Sequence, residues 1–119
     1  MDKIQNIVER TFNFALHILK LSEKLDEKLS SHRIILNQII RSGTSIGANI
    51  EEAQAAESKA DFIHKYNIAL KEARETKYWL KLLGASDFAG VTKLDLLINE
   101  SDEICRIIAQ IIINARKRK

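Results

Sequence analysis

Apolar residues return every three or four positions along nearly the whole chain, which is a helical rhythm. Four segments carry it. The first spans about 2–29, with Ile4, Val8, Ala15, Leu19, Leu25 and Leu29 on one face and Phe12, Ile18 and Leu21 widening it. In "LSSHR", Ser30 or Ser31 offers an N-cap for a second helix over about 32–55. The third, over about 59–84, opens on Ser58 and Asp61, a capping-box-like pair, and Gly84 offers its stop. Thr92 and Asp95 start a fourth over about 92–117, with Leu94, Ile98, Cys105, Ile108, Ile112 and Ala115 on one face. The many isoleucines have some β propensity, but neither strand alternation nor hairpin dipeptides accompany them. The pattern predicts an all-α fold: one domain over 1–119, an antiparallel up-down-up-down four-helix bundle.

The stretch "RSGTSIGANIEEA" looks at first like a loop between two apolar runs. Its spacing says otherwise. Ile35, Ile39, Ser42, Ile46, Asn49 and Ala53 form one stripe, and Leu36, Ile40, Gly43, Gly47, Ile50 and Gln54 an adjacent one. Each glycine inside a helix costs up to about 1 kcal/mol relative to alanine, so Gly43 and Gly47 predict close packing against another backbone. The third helix is also doubled. Phe62, Tyr66, Ala69, Ala73, Thr76, Leu80 and Leu83 make its apolar face, flanked by Ile68, Glu72, Glu75 and Trp79. A monomeric bundle needs about one stripe per helix, so doubled stripes predict contacts between copies of the chain.

Composition sharpens this picture in two respects. The chain contains no proline, as suits long uninterrupted helices. Its net charge of +3 is concentrated at the end: without Arg116, Lys117, Arg118 and Lys119, fifteen basic residues face sixteen acidic ones. The one cysteine, Cys105, forms no internal disulfide and fits a reducing compartment. With no signal-peptide pattern and no membrane-spanning run, a cytoplasmic location and no membrane partner are expected.

"SIGANIEEA" followed by "FIHKYNIALKEARETKYWLKLL" resembles the small bacterial family of proteins encoded in intervening sequences of 23S rRNA genes, often given ribosomal-protein names. The accessory variability protein of diversity-generating retroelements is a relative of that family. The family's pattern falls on Arg41, Ser45, Ile46, Asn49, Ile50 and Glu52, then on Phe62, Ala69 and Glu75; Ala53 stands where many members have glycine. The resemblance implies an antiparallel four-helix bundle, assembly as a homopentamer, and association with RNA or an RNA-handling protein.

On the helices, these polar positions flank the apolar stripes. Arg41, Ser45, Asn49 and Glu52 lie on the second helix, and Glu72, Glu75 and Trp79 on the third. Two readings stand: a polar network that fixes register and subunit contacts, with Arg41 binding a carboxylate, or a groove for a polar ligand.

Catalytic signatures are missing. A di-iron bundle needs two Glu-x-x-His motifs, and the nearest approach is Asp61-x-x-His64. His17, His32 and His64 lie far apart, Cys105 sits on an apolar face, and no nucleophile–base pattern or phosphate loop occurs. A non-enzymatic protein without metal or cofactor is expected. The basic tail Arg116–Lys119 suits a helix C-terminus electrostatically and is also the candidate RNA contact, helped by Lys20, Lys24 and Lys28. Few exposed aromatics are expected for stacking bases. The expectation is a homo-oligomeric accessory protein that binds RNA, with a protein-docking scaffold as the alternative.

Overall fold

A computed structural model of the chain describes residues 3–24, 30–86 and 94–118. Four helices make up this part: α1 (Lys3–Lys24), α2 (Ser30–Ala53), α3 (Lys59–Ala85) and α4 (Leu94–Lys117). Leu25, Lys28, Leu29, Thr92 and Lys119, and the side chains of Ile4, Lys24 and Ser30, lie outside the described residues. Helix α2 begins two residues before the expected start, so Ser31 lies inside it instead of capping it.

Each helix packs on its chain neighbours and α1 also packs on α4, closing a rod of 51 × 20 × 19 Å. Contacts across three seams run antiparallel, which makes α1 and α4, in contact across the fourth, antiparallel as well. Gly43 lies against Ile18 and Gly47 against Thr11. Ser42 meets Thr76 while Glu52 meets Lys65, Lys77 meets Asp102 while Lys59 reaches Arg118, and Arg10 meets Glu100 and Glu103.

Local chemistry sets the ends of α3. Ser58 is the N-cap, with an extended backbone (φ −150, ψ 164), and its side chain accepts from the Asp61 amide at 3.0 Å. Gly84 does not stop this helix, which continues to Ala85. The cap is Ser86, whose amide donates to Leu82 and Leu83 carbonyls and whose hydroxyl donates to Leu83 at 2.7 Å. Its amide and hydroxyl together satisfy two of the orphan carbonyls without a left-handed glycine.

Two helices turn inward a face rotated from the one expected. On α1 the buried line is Ile7, Thr11, Phe14, Ile18 and Leu21, whereas Phe12, Leu16 and Leu19 face outward. On α4 it is Leu94, Leu97, Ser101, Ile104, Ile108, Ile111 and Ile112; of the expected face Leu94, Ile108 and Ile112 are buried, while Ile98, Cys105 and Ala115 are only half-buried. Each true stripe contains a hydroxyl residue that makes it look interrupted. Thr11 donates to the Ile7 carbonyl at 2.8 Å, and Ser101 to the Ile98 carbonyl at 2.7 Å. A hydroxyl satisfied by its own helix can be buried at little cost.

Every helix contributes one such buried hydroxyl: Thr11, Ser42, Thr76 and Ser101. Between α2 and α3 two of them meet. Ser42 donates to the Gln38 carbonyl at 2.8 Å, while Thr76 Oγ1 stands 2.8 Å from Ser42 Oγ and 2.7 Å from the Glu72 carbonyl. Two protons thus serve three short contacts, which ties the helices at this level without leaving either oxygen bare.

The glycines lie between α1 and α2. A Cβ on Gly47 would stand 3.3 Å from the backbone oxygen of Thr11, and one on Gly43 would stand 3.0 Å from Ile18 Cγ1. In the second stripe of α2, Gly43 and Gly47 are therefore covered by α1 of the same chain, and Leu36 and Ile50 are buried, whereas Ile40 is half-buried and Gln54 exposed.

Candidate functional site

The polar residues expected to form one network divide into separate groups along the α2–α3 seam. Arg41 on α2 reaches across to α3, where its guanidinium donates to Glu72 at 3.2 Å and to Glu75, while its Nε donates to Gln38 at 3.1 Å. The fork spans two carboxylates instead of gripping one. One turn and more along, Asn49 spends its amide inside α2, on the Ser45 carbonyl at 2.9 Å and the Ser45 hydroxyl at 3.2 Å. Glu52 accepts from Lys65 at 2.8 Å, and this bond is the main reason that Lys65 holds its proton more firmly than usual. Lys65 was not among the expected site residues; its pairing with Glu52 depends on the antiparallel register of α2 and α3.

Trp79 lies beside these groups and is half-buried. Its ring meets Tyr78 edge-on, with centroids 5.2 Å apart at 72°. Its indole N–H is buried and finds no acceptor among the described residues. The Arg41 and Glu75 side chains are 49% and 41% exposed, so their pairing lies at the solvent edge of the seam. An open groove lies on the neighbouring seam, between α1 and α2, lined by Val8, Glu9, Phe12, Asn13 and Glu51.

The other two seams carry ion clusters of their own. Arg10 on α1 donates to Glu100 at 2.6 Å and to Glu103 at 2.5 Å, and both carboxylates bind its proton more tightly. Asp102 accepts from Lys77 at 2.6 Å and pairs with Arg106 at 3.0 Å; the Lys77 bond is the main influence holding its carboxyl below the usual range. Beside them, burial pushes the Cys105 thiol up, which keeps it a weak nucleophile. Among the described residues no group of three or more His, Cys, Asp or Glu side chains could hold a metal ion. Among them, too, no helix is long and apolar enough to cross a membrane.

At one end of the rod, Arg116 and Lys117 close α4 and Arg118 follows, all three exposed. None pairs with a carboxylate among the described residues. Lys59 at the start of α3 donates instead to the Arg116 carbonyl at 3.3 Å and to the Arg118 carbonyl, which anchors the backbone and leaves the tail's guanidinium and ammonium groups free. Lys20 on α1 is exposed near the other end of the rod, so it cannot share a contact with this tail in one chain.

Residues 3–110 match the family model described as 23S rRNA-intervening sequence protein. The fold is similar to the crystal structure of a protein of unknown function, from the S23 ribosomal protein family, of Bacteroides thetaiotaomicron VPI-5482. The two are 41% identical, with a TM-score of 0.82 over 93% of this chain and 98% of that one. No curated protein matches the sequence.

Proposed function

The chain belongs to the 23S rRNA-intervening sequence protein family, and from that premise we propose that it is a homo-oligomeric, non-enzymatic accessory protein that binds RNA through its basic tail. The observation that carries the reading is the tail itself. Arg116, Lys117 and Arg118 stand exposed, with no carboxylate partner among the described residues, on a backbone held by Lys59. The rRNA in the family's description gives the polyanion a class.

Self-association is supported by α1. Phe12, Leu16 and Leu19 are 61%, 41% and 44% exposed and step by four and three along one outward stripe. A second copy is the occupant that fits a continuous apolar stripe beside an open groove. Five copies follow from the family resemblance alone. In such an assembly several tails act on one RNA, which raises avidity beyond that of a single tail.

The test is a chain ending at Ala115. Four lost phosphate contacts correspond to a logarithmic salt slope near −3 for a single strand. The truncated chain is expected to assemble normally and to lose most of that slope and affinity. RNA binding by the truncated chain equal to that of the full chain would refute the tail reading. If neither chain binds RNA, a protein partner docked on the Phe12 stripe becomes the better reading.

A further inference from the structure

The outer face of α3 is not used by any group described so far. Asn67, Lys71, Arg74, Tyr78 and Lys81 follow one another at intervals of four, three, four and three, which puts them on one stripe pointing away from the core. Lys71, Arg74, Tyr78 and Lys81 are all exposed. From Lys71 to Lys81 the stripe runs about 15 Å.

The charge of this stripe is only weakly opposed: Asp102 feels Lys81 at a distance but bonds to Lys77. The carboxylates on its flanks are already engaged: Glu72 and Glu75 by Arg41, Asp102 by Lys77 and Arg106, and Glu100 and Glu103 by Arg10. Among the described residues no carboxylate lies within ion-pair distance of Lys71, Arg74 or Lys81. A body that is nearly neutral in sum thus presents three cations in a row with no ion-pair partner among the described residues. Repulsion among them is relieved by an anion, and a chain of anions suits their linear order.

Tyr78 decides which polyanion. It is 58% exposed, stands between Arg74 and Lys81, and is steadied from behind by the edge of Trp79. A fixed aromatic ring among cations is a stacking platform for an unpaired base. A lipid surface would require apolar residues free to insert, but the apolar side of α3 is committed to the core. An acidic peptide would satisfy the cations and leave the ring without a role. We propose that this face binds single-stranded nucleic acid, with Lys71, Arg74 and Lys81 on phosphates and Tyr78 stacked on a base.

The proposal rests on the reading of the chain as an RNA binder and places a contact on the body as well as the tail. Trp79 is the only tryptophan, so its emission reports events at Tyr78 and is blind to binding at the tail. The full chain is titrated with oligouridylate, following both Trp79 emission and affinity, with inorganic polyphosphate as a polyanion that has no bases. Thermal melts confirm that each variant is folded.

Oligouridylate is expected to change Trp79 emission. Replacing Lys71, Arg74 and Lys81 together with glutamine should reduce the salt slope by about 2. Tyr78→Ala should weaken oligouridylate roughly 5- to 100-fold. It should leave polyphosphate unaffected, and Tyr78→Phe should restore binding. If the full chain binds oligouridylate but the triple variant and Tyr78→Ala bind equally well, the α3 face is excluded while the tail reading stands. If Tyr78→Ala weakens polyphosphate as much as oligouridylate, base stacking is excluded. Failure of the full chain to bind at physiological salt overturns both readings.

Discussion

Gly43, Gly47 and Gly84 all lie inside helices, yet their surroundings give them different consequences. Gly84 is exposed near the end of α3, and an added Cβ would meet only Leu94 Cδ1 at an ordinary 3.8 Å. Gly84→Ala is therefore expected to stabilise the fold by about 0.5–1 kcal/mol, through helix propensity and a less free unfolded chain. A thermal melt checks it, and an unchanged or lower midpoint counts against it. Gly47 faces the Thr11 backbone, which cannot rotate away as a side chain can. Gly47→Leu should cost about 1–3 kcal/mol or more, by forcing α1 away from α2. Urea unfolding measures that loss. The need for close packing was legible from the glycine spacing. Its partner was not, because spacing along α2 carries no information about which helix approaches.

At the scale of helix pairs, the exposed ion groups fix register more than they add stability. Arg41 is open to solvent, so Arg41→Ala is expected to lower unfolding stability by no more than about 1 kcal/mol. A much larger loss in urea unfolding would show that the seam is buried by another molecule. The α3–α4 seam makes a pH prediction. The bond from Lys77 depresses Asp102 below its usual range, so the folded protein binds that proton less readily than the unfolded chain. Its stabilising contribution is present above the ordinary Asp value of about 3.9 and is lost as pH falls through the depressed one. Asp102→Asn should therefore separate from the parent at pH 6 and converge with it in acid, in melts across about pH 2–6. A constant difference across that range would refute the assignment. These pairings were partly readable: Arg41 with Glu72 and Glu75 followed from α2 and α3 being antiparallel neighbours. Arg10 with Glu100 and Glu103 had no sequence signal, since nothing local sets how α1 slides against α4.

For the whole molecule, the surface divides into an apolar stripe on α1 and cationic features on α3 and the tail. Light scattering coupled to gel filtration is expected to give a mass several times 13.6 kDa. Phe12→Asp should lower that mass while helix content, by circular dichroism, stays the same. A monomer at micromolar concentration in the parent chain, or an unaltered mass in the variant, would remove α1 as the assembly face. The doubled stripes of α2 and α3 predict self-association. On α2, Gly43 and Gly47 are taken up by α1 inside the chain, and α1 keeps an exposed apolar stripe that the spacing did not single out.

The sequence by itself determined that the chain is helical and where most of the helices lie. Helicity is local: it follows from the three-and-four spacing, the absence of proline and a cap such as Ser58, all within a few residues of one another. Which side of each helix faces inward was decided only by the tertiary structure. Apolar residues surround much of α1, and Thr11 and Ser101 disguise the true core lines because each hides its hydroxyl on a carbonyl of its own helix. The choice depends on what lies opposite. Thr11 is inward because Gly47 leaves room for it, and Phe12 is outward because no helix of this chain lies beyond it.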